Sequence, residues 1–212
     1  MHILNHHITF PNPREANEDG LLAIGGDLST ERLLIAYNQG IFPWFNNDEP
    51  ILWWSPDPRM VVFPNELHIS KSMKVLLKQQ KFTVTKNKAF RKVIEHCAEI
   101  KRQGQSGTWI TDEMIQAYIK LHELGKATSI EVWLDNELVG GLYGIDLNDK
   151  KIFCGESMFS LVSNASKIAF ITLVQQLKAK EYNLIDCQVY TRHLESLGAR
   201  EISRDEFLTY LK

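Results

Sequence analysis

Apolar residues along this chain keep a helical period in some stretches and alternate with polar ones in others, and the switches mark out its elements. Phe90, Val93, Ile94 and Cys97 follow the i, i+3, i+4, i+7 spacing of one helix face, which predicts a helix over Asn87–Ile100. A shorter helix is predicted over Ser70–Gln79, with a strand at Phe82–Thr85 between the two. Thr111 is placed to cap another helix: Asp112 and Glu113 fill its first turn, Met114, Tyr118 and Leu121 share a face, and Gly125 stops it. Ser129–Leu134 and Leu138–Ile145 alternate on either side of Asp135-Asn136 and predict a hairpin, followed by a strand over Lys151–Phe159. A long apolar helix is predicted over Ser163–Lys178 and a strand over Leu184–Tyr190, and Ser203 with Glu206 has the capping-box spacing of a last short helix. Strands, helix, then strand predict a mixed α/β sheet covered by helices.

The first sixty residues read differently, being rich in Pro, Gly and aromatics with little periodicity. One helix is predicted there, capped by Ser29, with Leu33, Leu34 and Tyr37 on its apolar face and Gly40 at its end. This divides the chain into a small N-terminal α/β domain, residues 1–62, and a larger domain, residues 63–212. A length of 212 residues suits one large or two small domains. Hydrophobic residues at 44% and charged ones at 24% exclude a disordered or fibrous chain. No apolar run is long enough to span a membrane, and Met1–Pro13 lacks the basic start and apolar stretch of a signal peptide. Cys97, Cys154 and Cys187 are odd in number, far apart and without a CxxC pair, which suits a reducing compartment. A soluble cytoplasmic protein is expected.

Charge adds a first clue about partners. Residues 70–104 hold ten basic side chains against only Glu95 and Glu99, a net of +8 in a chain whose total is −2. A basic block on an otherwise acidic protein is the footprint of a polyanion such as RNA, although the same lysines could merely solvate two amphipathic helices.

Candidate chemistry falls on two strands. Along Leu184–Tyr190, alternation puts Ile185, Cys187 and Val189 on one face and Asp186, Gln188 and Tyr190 on the other. An acid and an amide on one face can hold and polarise a reacting group, or form a hydrogen-bonded pair with no chemical duty. Along the other strand, alternation places Glu156 with Cys154 and Met158 and Ser157 opposite; Glu156 could read a basic substrate group, or stand at a sheet margin. Trp44, Trp53, Trp54 and Trp109 can stack on a nucleobase or wall an apolar pocket, with core packing expected for at least one of Trp53 and Trp54. No GxSxG elbow or Walker loop is present, and Gly140-Gly141-Leu142-Tyr143-Gly144 lies in a predicted strand, the wrong place for a dinucleotide loop. His2, His6 and His7 lack partners at metal-ligand spacing, so no metal is expected.

Taken in order, NEDGLLAIGGDLS, GIFPWF, ILWWSPDPRMVVFP, GTWIT, LHELGKATSIEVW, ELVGGLYG, FCGESMFS, NASK and LIDCQ resemble the bacterial leucyl/phenylalanyl-tRNA–protein transferases from about Phe10 to Leu211. That resemblance implies a small N-terminal domain and an acetyltransferase-like (GNAT) C-terminal domain. It implies transfer of Leu, Phe or, less often, Met from aminoacyl-tRNA to the α-amino group of proteins beginning with Arg or Lys, which marks them for N-end rule degradation. Asp186 and Gln188 would be the catalytic pair and Glu156 would bind the acceptor. Tyr37, Trp44, Trp109, Tyr118, Leu142, Phe153 and Met158 would form the pocket for the aminoacyl group and terminal adenosine. Lys71, Lys74, Lys78, Lys86, Lys88, Arg91 and Lys92 would contact tRNA phosphates. No cofactor is implied, because aminoacyl-tRNA is the acyl donor, and SMFSLVSNASK lacks the pyrophosphate loop of acetyl-CoA enzymes. A monomer is expected, with no membrane partner. An acetyl-CoA-dependent N-acetyltransferase and a non-enzymatic RNA-binding module are the alternatives.

Overall fold

The computed structural model of the chain describes residues 2–100 and 109–212, so Lys101 and Arg102 of the basic block lie outside the described residues. The aromatic N-terminal third contains more strand than its sequence predicts. Short strands β1 (His2–Leu4), β2 (Leu21–Gly25), β3 (Phe42–Pro43) and β4 (Leu52–Trp54) form a sheet in the order β1-β2-β4-β3, with helix α1 (Thr30–Asn38) between β2 and β3. At two to five residues each, these strands are too short to show an alternating period. The predicted helix is present, and the Ser29 hydroxyl accepts from the Arg32 amide as a cap should. Trp53 is fully buried with its indole N–H donating to the Gly25 carbonyl at 2.8 Å, so this member of the adjacent pair is core.

The remaining elements are β5 (Arg59–Val62), α2 (Lys71–Lys78), β6 (Thr83–Lys86), α3 (Phe90–Glu99), α4 (Asp112–Glu123), β7 (Ala127–Leu134), β8 (Glu137–Leu147), β9 (Ile152–Ser160), α5 (Ala165–Ala179), β10 (Leu184–Gln188), α6 (Arg192–Glu195), β11 (Arg200–Ile202) and α7 (Arg204–Thr209). Among the described residues they build a mixed sheet in the order β11-β5-β10-β9-β8-β7-β6, in which β9 and β10 run parallel and the other neighbours antiparallel. The fold is therefore mixed α/β, as the order of periods predicts. Arg59–Val62 belongs to this larger sheet, so the chain passes from one sheet to the other between Trp54 and Arg59, ahead of residue 62.

Alternation along the strands feeds two apolar layers. On one face, Tyr143, Ile145, Cys154 and Phe159 pack with α3 and α4 and with the buried residues of the N-terminal sheet. On the other, Ile130, Leu142, Phe153 and Ile185 pack with α5. No helix among the described residues is long and apolar enough to cross a membrane.

The glycines of the Gly140–Gly144 run serve packing. Gly140 lies against Ala165 of α5, and a Cβ at Gly144 would collide with the Cys154 carbonyl and the Phe153 ring. Gly144→Ala is expected to lower the unfolding free energy by about 2–3 kcal/mol, the scale of overpacking a closed core, checked by urea denaturation beside wild type.

Candidate active site

The site arises because two strands part company. Parallel pairing of β10 with β9 runs only from Leu184↔Ile152 to Asp186↔Cys154, after which β9 continues with β8 to Ser160 and β10 ends at Gln188. A cavity of about 360 Å³ opens where they diverge. Its walls are mainly apolar: Leu142, Phe153 and Met158 from β8 and β9, Phe170 and Leu173 from α5, Phe42 and Trp44 from the N-terminal part of the chain, and Trp109 from the segment ahead of α4. Trp44 remains 37% exposed, and its backbone carbonyl accepts from the Trp54 indole at 2.7 Å.

A bulge in β9 sets Glu156 apart. Tyr143 pairs with Ser157 and Gly144 with Gly155, which leaves Glu156 as the extra residue of its strand. The expected alternation therefore breaks: Met158, opposite Leu142, joins the α5 face, and Ser157, opposite Tyr143, joins the face of Cys154. Freed from the ladder, the Glu156 carboxylate bridges the gap between β9 and β10. The Gln188 amide Nε2 donates to its Oε1 at 3.0 Å and the Tyr118 hydroxyl donates to its Oε2 at 3.0 Å. With that proton committed, Tyr118 is left to accept a hydrogen bond from Tyr37, whose hydroxyl lies against it. Tyr37 and Tyr118 are thus fully buried behind Glu156 as a hydroxyl chain and do not line the cavity.

Burial raises the Glu156 carboxyl to about 7; hydrogen bonds from Tyr118 and Gln188 oppose the rise, and the negative charge of Asp186 adds to it. Burial also pushes both tyrosine hydroxyls well above their ordinary range. Among the described residues, no group of three or more His, Cys, Asp or Glu is placed to hold a metal ion.

Asp186 occupies a different environment from the one its strand position suggests. It is 1% exposed and does not reach the cavity. Arg59 of β5 grips it with two bonds of 2.8 Å, Nε to Oδ1 and Nη2 to Oδ2. Oδ1 also accepts from the Gln188 backbone amide at 3.0 Å. Gln188 itself adopts a left-handed backbone (φ +61°), and β10 shifts register against β5 at this point. The strand ends there, so Tyr190 leaves the shared face and donates to Glu195 of α6. Arg59 had no signal in periodicity or motif beyond its place in WWSPDPR, and Phe170 and Leu173 read from sequence only as helix core.

The basic residues gather at the other end of the sheet, around edge strand β6. Lys71, Lys74 and Lys78 lie on α2 over one face, Arg91 and Lys92 on α3 over the opposite face, and Lys88 in the turn before α3; all are exposed. Lys86 at the end of β6 is half-buried, and burial, then the neighbouring Lys180 charge, lower its ammonium below the usual lysine range. Arg91 is paired with Glu95 at 3.7 Å.

Residues 61–212 match the family described as leucyl/phenylalanyl-tRNA protein transferase, and residues 26–57 match its N-terminal domain. The chain belongs to the leucyl/phenylalanyl-tRNA protein transferase family. Members of that family are aminoacyltransferases. Relatives bearing that name include those of Flavobacterium psychrophilum, 61% identical over 212 residues and the full length of both chains, and Flavobacterium johnsoniae, 62% identical over all of this chain and 99% of the other. The relative from Syntrophobacter fumaroxidans is 54% identical over 98% of this chain and 88% of its own. Solved structures give more distant likenesses. L-PGS from Bacillus licheniformis has a TM-score of 0.42 at 13% identity, over 82% of this chain and 57% of that one. A GCN5-related N-acetyltransferase from Kribbella flavida has a TM-score of 0.41 at 11% identity, over 80% and 60%.

Proposed function

We propose that this chain transfers leucine or phenylalanine, and less often methionine, from aminoacyl-tRNA to the α-amino group of proteins that begin with Arg or Lys, marking them for N-end rule degradation in the cytoplasm. The observation that carries this reading is the mainly apolar cavity between the diverging strands, with a carboxylate and an amide set together in its wall. An unbranched or γ-branched apolar side chain can bury against Leu142, Phe153, Met158 and Trp109, whereas a charged one would be desolvated without a partner. Glu156 would meet the cationic end of the acceptor. The lysines flanking β6, with Arg91, would take the tRNA phosphates, a term that weakens steeply with salt.

The reaction is aminolysis of an activated ester, in which the acceptor nitrogen bonds to the aminoacyl carbonyl carbon, the ribose oxygen leaves, and the nitrogen loses a proton. Holding the two substrates close supplies much of the acceleration. With its Nε2 committed to Glu156, the Gln188 amide oxygen is the end left to accept from the attacking amine. Asp186, enclosed by Arg59, serves by holding the Gln188 backbone; a direct role in steadying positive charge on the amine does not suit a carboxylate already neutralised and out of the cavity. The aminoacyl ester is the acyl donor, with no acetyl-CoA and no cofactor.

Labelled Leu-tRNA incubated with the protein and a peptide beginning with Arg should pass its label to that peptide and not to one beginning with Gly. No transfer from Leu-, Phe- or Met-tRNA by folded protein would overturn the reading, and specific acetylation by acetyl-CoA would favour the acetyltransferase in its place. Trp109→Ala is expected to raise the KM for Leu-tRNA about tenfold through lost apolar contact, leaving the peptide KM within about twofold. Steady-state titration of each substrate checks this.

A further inference from the structure

Arg59 is buried beside the site, and the chemistry above does not use it. It is 1% exposed, and its guanidinium carbon lies 4.9 Å from the Phe42 ring centroid and 4.5 Å from that of Phe207. Phe42 lines the cavity and Phe207 belongs to α7. The guanidinium is therefore clamped between the cavity wall and the C-terminal helix, while its Nη1 is buried with no hydrogen-bond partner among the described residues.

Fold stability alone does not call for this arrangement. A buried ion pair seldom stabilises a protein more than apolar residues of the same volume, because removing two charges from water cancels most of their attraction. The residue tied to the pair, Gln188, holds a left-handed backbone without being glycine, a conformation that costs energy, and it does so buried at the end of a strand. Asp186 Oδ1 accepts from the Gln188 amide and holds it there, and that same oxygen receives Arg59 Nε.

We infer that Arg59 is a positioning residue for the transfer reaction: fixed between Phe42 and Phe207, it sets the Asp186 carboxylate, which holds the Gln188 backbone in the turn that aims its amide at Glu156 and the cavity. This rests on the transfer activity proposed above. Arg59 touches no substrate and acts through Asp186 alone. Lysine keeps the charge but cannot reproduce the planar two-bond grip.

The test uses the full chain in the label-transfer assay, with single-turnover rates at saturating Leu-tRNA and Arg-peptide. Arg59→Lys is expected to slow the saturated rate about tenfold with the KM for Leu-tRNA within about twofold, as loss of orientation without loss of binding requires. The same substitution made in Asp186→Asn protein should slow it little further, since both act on one path. An Arg59→Met/Asp186→Leu double variant exchanges the pair for apolar packing. It should fold and remain slow, because the Gln188 amide has lost its acceptor.

A wild-type rate in Arg59→Lys, an equal drop in both backgrounds, or recovery of the rate in the apolar double variant would each overturn the inference, the last by reducing the pair to packing. A rate loss that follows only the folded fraction, measured by circular dichroism, would do the same. Absence of transfer by the wild type would instead overturn the proposed function.

Discussion

Asp186→Ala should destabilise the protein by about 3–5 kcal/mol, because it leaves the Arg59 charge buried and unpaired, and it should abolish transfer at the same time. The guanidinium cannot reach water: it is 1% exposed and enclosed by Phe42 and Phe207. Its two bonds to Asp186 are the only ones it makes among the described residues, and Nη1 already lacks a partner. The Gln188 amide loses its acceptor in the same stroke. Urea denaturation measures the first effect and label transfer the second. A melt within about 1 kcal/mol of wild type would show that the site relaxes to admit water beside Arg59.

Glu156→Gln is expected to have opposite effects on activity and stability. With its carboxyl raised to about 7, Glu156 is mostly neutral at pH 6 and mostly ionised at pH 8. If the ionised form meets a cationic acceptor, the ratio of wild-type to Glu156→Gln rates on an Arg-peptide should grow about tenfold between those pH values. The acceptor amine's own titration cancels in that ratio. A ratio flat with pH would mean that the charge of Glu156 takes no part.

For stability, a carboxyl whose pKa is higher in the folded state holds its proton longer when folded. Wild type therefore loses stability as pH rises from the unfolded value near 4.3 and carries the full cost above 7. Glutamine carries no such cost. The variant should match wild type near pH 4 and exceed it by on the order of 1–2 kcal/mol at pH 8, discounted for the partial access of Glu156 to the cavity. Denaturation at both pH values checks it. A gain in stability with a loss of activity would mark Glu156 as kept for chemistry at the expense of the fold.

Much of this was legible in the chain itself. The long regular elements announced themselves, because a helix face of Phe90, Val93, Ile94 and Cys97 or a hairpin around Asp135-Asn136 is a local pattern needing no distant partner. The short strands of the N-terminal sheet, β5 and β11 were not, since strands of two to five residues carry little period of their own and are fixed by the neighbour they pair with. Glu156, Asp186 and Gln188 could be picked out as an acid, an acid and an amide on two strands, and Trp44 and Trp109 as aromatics suited to a pocket wall.

What the sequence determined by itself, then, is the set of elements that local periodicity and capping specify, the basic block, and the residues with chemistry to offer. Their arrangement belongs to the tertiary structure. A one-residue bulge turned Glu156 out of its ladder and moved Met158 to the opposite face, and a single register shift put Gln188 into a left-handed turn. Asp186 became a neutralised anchor because Arg59, 127 residues away in the chain, lies beside it on the neighbouring strand. Alternation is a rule about one strand, whereas a bulge, a splayed pair of strands and a buried ion pair are set by what the rest of the chain packs against them, and the site depends on all three.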